Sequence, residues 1–213
     1  APGYHSLRYP VFIERLEHCR PQAPGGGPLR PLALLPQGTL GPDDVLIPEG
    51  SFIYGGDSSA YGSGPRERRW LDTFVMRRFP VTNGEYLIFL NDLVSQGRID
   101  EALEYAPRER GCTEDGPGPL LYGQAEDGHF YLRADPDGDV WQFDWPVLMV
   151  NWYGARAVTR WLAGRTGRPW QLPTEAMWEK AARGVDGRYF PWGDFLDPSW
   201  ANVRGSHEGG RPI

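Results

Sequence analysis

Thiolates and imidazoles are the side chains best suited to redox and metal chemistry, and this 213-residue sequence carries few of them. They are Cys19 and Cys112, with His5, His18, His129 and His207. No two histidines stand four residues apart, the spacing that sets two imidazoles on one helix face as metal ligands. The cysteines have neither the close spacing of a metal-thiolate site nor the number needed for a disulfide framework, and they read as a reduced cytosolic pair. "DPDGD", Asp135 to Asp139, suggests a calcium loop. However, its glycine is fourth rather than sixth and its twelfth place is Pro146 rather than a bidentate glutamate. A hairpin turn is the better reading. The Gly-rich stretches lack the following Lys-Ser/Thr of a phosphate loop, and no Gly-x-Ser-x-Gly nucleophile motif occurs.

What must position any site is an unusual scaffold. Glycine (28) and proline (21) are abundant, so much of the chain is turn and loop, while 13 % aromatic residues argue against disorder. A net charge of −6 gives no general attraction to nucleic acid or anionic lipid. No apolar run reaches the ~20 residues that span a bilayer, and no leader peptide is visible, so a cytoplasmic setting is expected.

Residues 1–20 read as the end of a preceding element, with "SLRYPVFIERLE" as a strand. Residues 21–43 read as a Pro/Gly-rich linker. "DVLIPEGSFIYGGD" reads as strand, turn, strand, and "RWLDTFVMRRFPVT" as a further strand stopped by Pro80. Thr82 and Glu85 form a capping box for a helix over 83–96 with Tyr86, Phe89, Leu90, Leu93 and Val94 on one face and Gly97 as its stop. A short helix over 99–105 is expected, then a polar loop over 106–127, then a hairpin in "HFYLRADPDGDVWQF". "WPVLMVNW" reads as a buried strand and 153–167 as a helix. In "RPWQLPTEAMWEKAARG", Thr174 caps a helix that ends at Gly184. Trp178, Ala181 and Ala182 are expected to face inward, with Glu179 and Arg183 paired four apart.

Four blocks carry a family resemblance: "IPEGSFIYGGD", "FPVTNGEYLIFLND", "PVLMVNWYGARAVTRWLAGRTGRPWQLPTEAMWEKAARG" and "RYFPWGDFLDPSWANV". Together they resemble the formylglycine-generating enzyme, or sulfatase-modifying factor, family. The resemblance implies an α+β, C-type-lectin-like fold with two main helices, short twisted sheets and long loops, its tryptophans pinning irregular backbone. On that basis residues 44–213 are the N-terminal portion of such a domain. The start of the chain is similar to bacterial proteins in which this domain follows a Ser/Thr protein kinase and a small β-domain, whose last strand would be residues 1–20.

The family's C-terminal Gly-Asn-Val-Trp-Glu-Trp, Gly-Gly-Ser-Trp and Gly-Phe-Arg segments have no counterpart before the final "GSHEGGRPI". A second polypeptide or a continuation completing the fold is therefore expected. The oxidases of the family hold copper through two cysteines in that segment, and relatives in ergothioneine synthesis use three histidines on iron. Neither site matches this sequence. The resemblance does imply a structural calcium ligated by an Asn side chain and the next carbonyl, here Asn202 and Val203, although calcium needs about six to eight oxygens. The expected function is a non-catalytic ligand- or protein-binding and sensing domain, taking a protein or small-molecule ligand. The alternatives are a hypervariable display protein of a diversity-generating retroelement, or an oxidase of substrate cysteine.

Overall fold

A computed structural model of the chain describes residues 2–11, 31–109, 112–113, 116–134, 138–203 and Ser206. Among the described residues it is α+β, with four α-helices and four two-stranded antiparallel sheets. The chain forms two compact units, Ala1–Arg78 with Pro173–Ile213, and Phe79–Leu172.

In the first unit, β1 (Asp44–Ile47) and β2 (Gly50–Tyr54) are strands as expected, but they do not pair with each other. The single strand expected at 69–79 is instead two, β3 (Glu67–Leu71) and β4 (Phe74–Arg77). Strand β1 pairs with β4 and β2 with β3. The reason lies at the corner: Gly50 has φ +144°, a conformation open to glycine, and it redirects the chain rather than folding it back. The expected strand near the N-terminus is absent from residues 6–11, where only Tyr4 bridges to Pro36. Its remainder, with Cys19 and most of the linker, lies outside the described residues.

The helix of this unit, α4 (Glu175–Arg183), is capped by the Thr174 hydroxyl accepting from Met177 N–H. Its orientation corrects the sequence expectation. Trp178 is 62 % exposed, whereas Lys180 is 3 % exposed. Lys180 turns inward because its ammonium can donate to two carbonyls at the β1–β2 corner, Pro48 (2.7 Å) and Gly50 (3.1 Å). The expected Glu179–Arg183 pair forms, and Glu179 also accepts from Gly55 N–H at 2.8 Å, tying α4 to the end of β2.

The second unit is built on α1 (Asn83–Ser95), whose capping box forms: Thr82 Oγ1 accepts from Glu85 N–H and the Glu85 carboxylate from Thr82 N–H. The 3,4-spaced stripe packs as the spacing requires, with Tyr86, Phe89, Leu90, Leu93 and Val94 buried against Ala102 of α2 (Ile99–Tyr105) and Val158 of α3 (Trp152–Thr166). The polar loop holds two small sheets: β5 (Cys112–Thr113) with β6 (Gly116–Pro117), and β7 (Gly123–Gln124) with β8 (Phe130–Tyr131). The expected hairpin thus begins earlier, with Phe130 opposite Gln124. The turn expected at 137–138 lies partly outside the described residues, and Ala134 bridges Val140 across it.

"WPVLMVNW" is not a strand and is only partly buried, with Val147, Met149 and Val150 packed against the core. Leu148 is 59 % exposed and Met149 has φ +59°, which breaks a strand. Pro146 lacks a donor, and the segment's polar groups serve α1 instead: Asn83 N–H donates to Trp145 O and Val147 N–H to Val81 O.

Candidate functional site

In the second unit a groove of about 590 Å³ runs along the outer face of α1. Gly84, Ile88, Asn91, Asp92 and Ser95 form its floor, a second stripe at 3,4 spacing beside the one that faces the core. Tyr131, Phe143 and Arg165 complete its lining.

Two glycines set the aromatic walls. A Cβ on Gly123 would lie 2.4 Å from the Tyr131 ring, so that ring rests directly on bare backbone. A Cβ on Gly84 would lie 3.1 Å from Phe143 O, the carbonyl to which Gly84 N–H donates at 2.8 Å. Asn91 fixes the edge of β8: its Nδ2 donates to Phe130 O (3.0 Å) and its Oδ1 accepts from Phe130 N–H (2.7 Å). The Asp92 carboxylate accepts from Trp161 Nε1–H (2.7 Å) and Gln96 Nε2–H (2.8 Å). Arg165 lies 4.0 Å from the other Asp92 oxygen and over the Trp161 ring at 5.0 Å.

At the far end Ser95, His129 and Asp127 stand in a row. His129 Nε2 is 3.4 Å from Ser95 Oγ and Nδ1 is 3.2 Å from Asp127 Oδ2. A nucleophilic serine would give its proton to the imidazole. Ser95 instead donates it to Asn91 O at 2.8 Å, leaving Oγ to accept from His129. Its place in the last turn of α1, beside the negative end of the helix dipole, would also oppose a developing oxyanion. The row is a tether for the β7–β8 turn. The His129 backbone N–H, donating at 3.0 Å, holds the Asp127 carboxyl below its ordinary range.

In the first unit a smaller cavity of about 330 Å³ is lined by Arg66, Asp186, Arg188, Tyr189 and Asp194. Arg188 grips Asp186 through Nε (2.8 Å) and Nη2 (2.6 Å), Asp194 accepts from Tyr189 N–H at 2.9 Å, and Arg66 donates to the Asp186 carbonyl at 3.5 Å. The cavity reads as an architectural clamp, to which Arg183 adds bonds to the carbonyls of Gly187 and Arg188.

Asn202 and Val203 follow an aromatic ladder in which Phe190 stacks on Trp192 at 5.6 Å and Trp200 meets Trp192 edge-on at 6.1 Å. The Val203 carbonyl accepts from both Ser206 N–H (2.8 Å) and Ser206 Oγ–H (2.5 Å). With both lone pairs used, it fits calcium only if that turn opens. Among the described residues no three His, Cys, Asp or Glu side chains gather as a metal site, and no helix is long and apolar enough to cross a membrane. Cys112 sits in β5. The groove residues were not singled out from sequence. The signal that could have found them is Ile88, an apolar residue off the core-facing stripe and 57 % exposed.

The fold and these sites define a class. Residues 33–209 match the family described as "Sulfatase-modifying factor enzyme 1-like domain". The chain belongs to that family. It is 50 % identical over 185 residues to a formylglycine-generating enzyme of Streptomyces coelicolor, covering 78 % of this chain and 54 % of the relative. It is 30 % identical over 206 residues to the formylglycine-generating enzyme of Bos taurus, covering 89 % and 50 %. It is also 29 % identical over 171 residues to the Bos taurus protein named inactive C-alpha-formylglycine-generating enzyme 2, covering 75 % and 55 %. The chain thus spans about half the length of these curated relatives.

Proposed function

We propose that this chain is a non-catalytic ligand- or protein-binding domain of a bacterial multidomain protein, built on a C-type-lectin-like version of the family fold. The observation that carries this reading is the α1 groove. It offers apolar and aromatic surface to a ligand, while its Asn91, Asp92 and Ser95 side chains are already spent on structural hydrogen bonds. Such a site can hold a molecule but presents no activated nucleophile or base. A protein named as inactive stands among the relatives, which agrees with a family fold used without turnover.

A second reading is a formylglycine-generating-type oxidase, favoured by the 50 % identity to such an enzyme. One experiment separates the two. The full-length protein is incubated with copper, dioxygen, a thiol reductant and a cysteine-containing peptide, and the peptide is followed by mass spectrometry with oxime capture of aldehydes. Recovery of the unchanged peptide is expected. An aldehyde at the former cysteine would overturn the binding reading and establish the oxidase.

A further inference from the structure

We infer that the outer face of α3 docks an acidic segment of a partner protein, with Trp152 and Tyr153 as apolar anchor and Arg156 and Arg160 as charge pair. This surface goes beyond the α1 groove and does not rest on it. Helix α3 carries three arginines and no aspartate or glutamate, in a chain whose net charge is −6. Arg165 reaches the carboxylate of Asp92. Arg156 and Arg160 are exposed and, among the described residues, form no ion pair. At ~3.6 residues per turn, Trp152, Tyr153, Arg156 and Arg160 fall within roughly a third of the helix circumference. They lie across the helix from Val158, which is buried in the core.

Trp152 and Tyr153 are 57 % and 63 % exposed, and their rings meet edge to face at 5.3 Å. Arg156 lies over the Trp152 ring at 5.2 Å, a contact that steadies the guanidinium and leaves its N–H donors open. Tryptophan, tyrosine and arginine are the side chains that most often anchor protein interfaces. Two cations without a carboxylate, on a helix without an acid, are complementary to an acidic partner. Spacing agrees. Arg156 and Arg160 stand about one turn apart, with Cβ atoms ~6 Å from each other. Alternate side chains on one face of an extended peptide are ~6.6 Å apart. A Glu-x-Glu segment therefore brings one carboxylate to each guanidinium, and an apolar residue two places further on reaches the two rings. A nucleic acid fits less well, because its continuous row of phosphates meets only two open cations on a chain of net negative charge.

The test titrates a labelled peptide, N-acetyl-Glu-Ser-Glu-Ser-Leu-Ser-Glu-Ser-Glu-amide, against the full-length protein by fluorescence anisotropy. Its pattern is the same in either direction, and an analogue with Gln for Glu is the neutral control. The acidic peptide is expected to bind about ten-fold more tightly, the size of two exposed ion pairs, and to lose that advantage as salt is raised. Arg156→Gln combined with Arg160→Gln should erase the preference while leaving the neutral peptide's affinity unchanged. Trp152→Ser should weaken both peptides by roughly ten-fold, through lost apolar contact. All three side chains are exposed, so these changes should not unfold the protein, and circular dichroism will show it. Equal binding of the two peptides, a preference surviving the double substitution, or no binding of either would overturn the inference. So would a labelled oligothymidylate that binds more tightly than the acidic peptide through the same two arginines, because the occupant would then be a nucleic acid. The aldehyde assay reads a different chemistry, and an aldehyde there would leave this surface standing.

Discussion

Lys180→Met should change how stability depends on pH more than it changes stability itself. The wild-type ammonium is 3 % exposed, bonded to the Pro48 and Gly50 carbonyls and 5.9 Å from the Phe52 ring. Burial lowers its pKa from 10.5 to about 8, against the opposing pull of Glu49 and Asp72. The gap between those values corresponds to roughly 3 kcal/mol of cost for keeping the group charged in the folded state. Between pH 8 and 10.5 the folded chain binds fewer protons at this site than the unfolded chain, so stability rises with pH across that window. Below pH 8 both states are protonated and the whole cost is present.

Methionine removes that cost but also the Lys180 bonds to the Pro48 and Gly50 carbonyls, each loss worth up to about 1–3 kcal/mol. At pH 7 the two effects oppose, and the variant should lie within ~3 kcal/mol of wild type. By pH 10 wild type should have gained roughly 2–3 kcal/mol on the variant. Urea unfolding of both proteins at pH 7, 8, 9 and 10 gives the difference directly, and titrations common to both cancel. A difference flat across that range would refute the reasoning, because it would mean that the amine is not desolvated. A difference that falls with pH would mean that the carboxylates outweigh burial.

Four further outcomes are expected in chemical denaturation. Thr82→Ala removes one half of the α1 capping box and should cost about 1 kcal/mol. Gly187→Ala should cost about 2 kcal/mol or more, since φ is +75° and the new Cβ would lie 2.6 Å from Ile53 Cγ2, whereas Gly164→Ala, in open space on α3, should stabilise by ~0.5–1 kcal/mol. Tyr122→Phe strips a 2.7 Å bond from Asn83 Oδ1, an amide with no exposed surface, and should cost about 1–3 kcal/mol.

Helices were legible in the sequence because their signals are local. Thr82 with Glu85, Thr174, and the glycines at 97, 167 and 184 mark boundaries within one turn of where the helices start and stop. Strand partners were not legible, because pairing depends on where the chain goes after each turn. The sequence 44–57 reads as a hairpin until Gly50 sends β2 to β3. Trp178 and Lys180 exchanged their expected places for a related reason. Hydrophobic ranking favours burying tryptophan, but only an ammonium satisfies two converging carbonyls at the corner. The groove was illegible because its aromatic walls come from separate segments, joined to α1 through Asn91 and Gly84.

Asn91 has a consequence for aggregation. A two-stranded sheet normally leaves outer edges open to another chain. Along β8 that edge meets an amide side chain that offers one donor and one acceptor, the pair of groups a neighbouring strand would offer. Helix α1 therefore serves as a surrogate third strand, one residue wide. It seals Phe130 against foreign backbone, and the sheet can stay two strands long without inviting a partner it does not want.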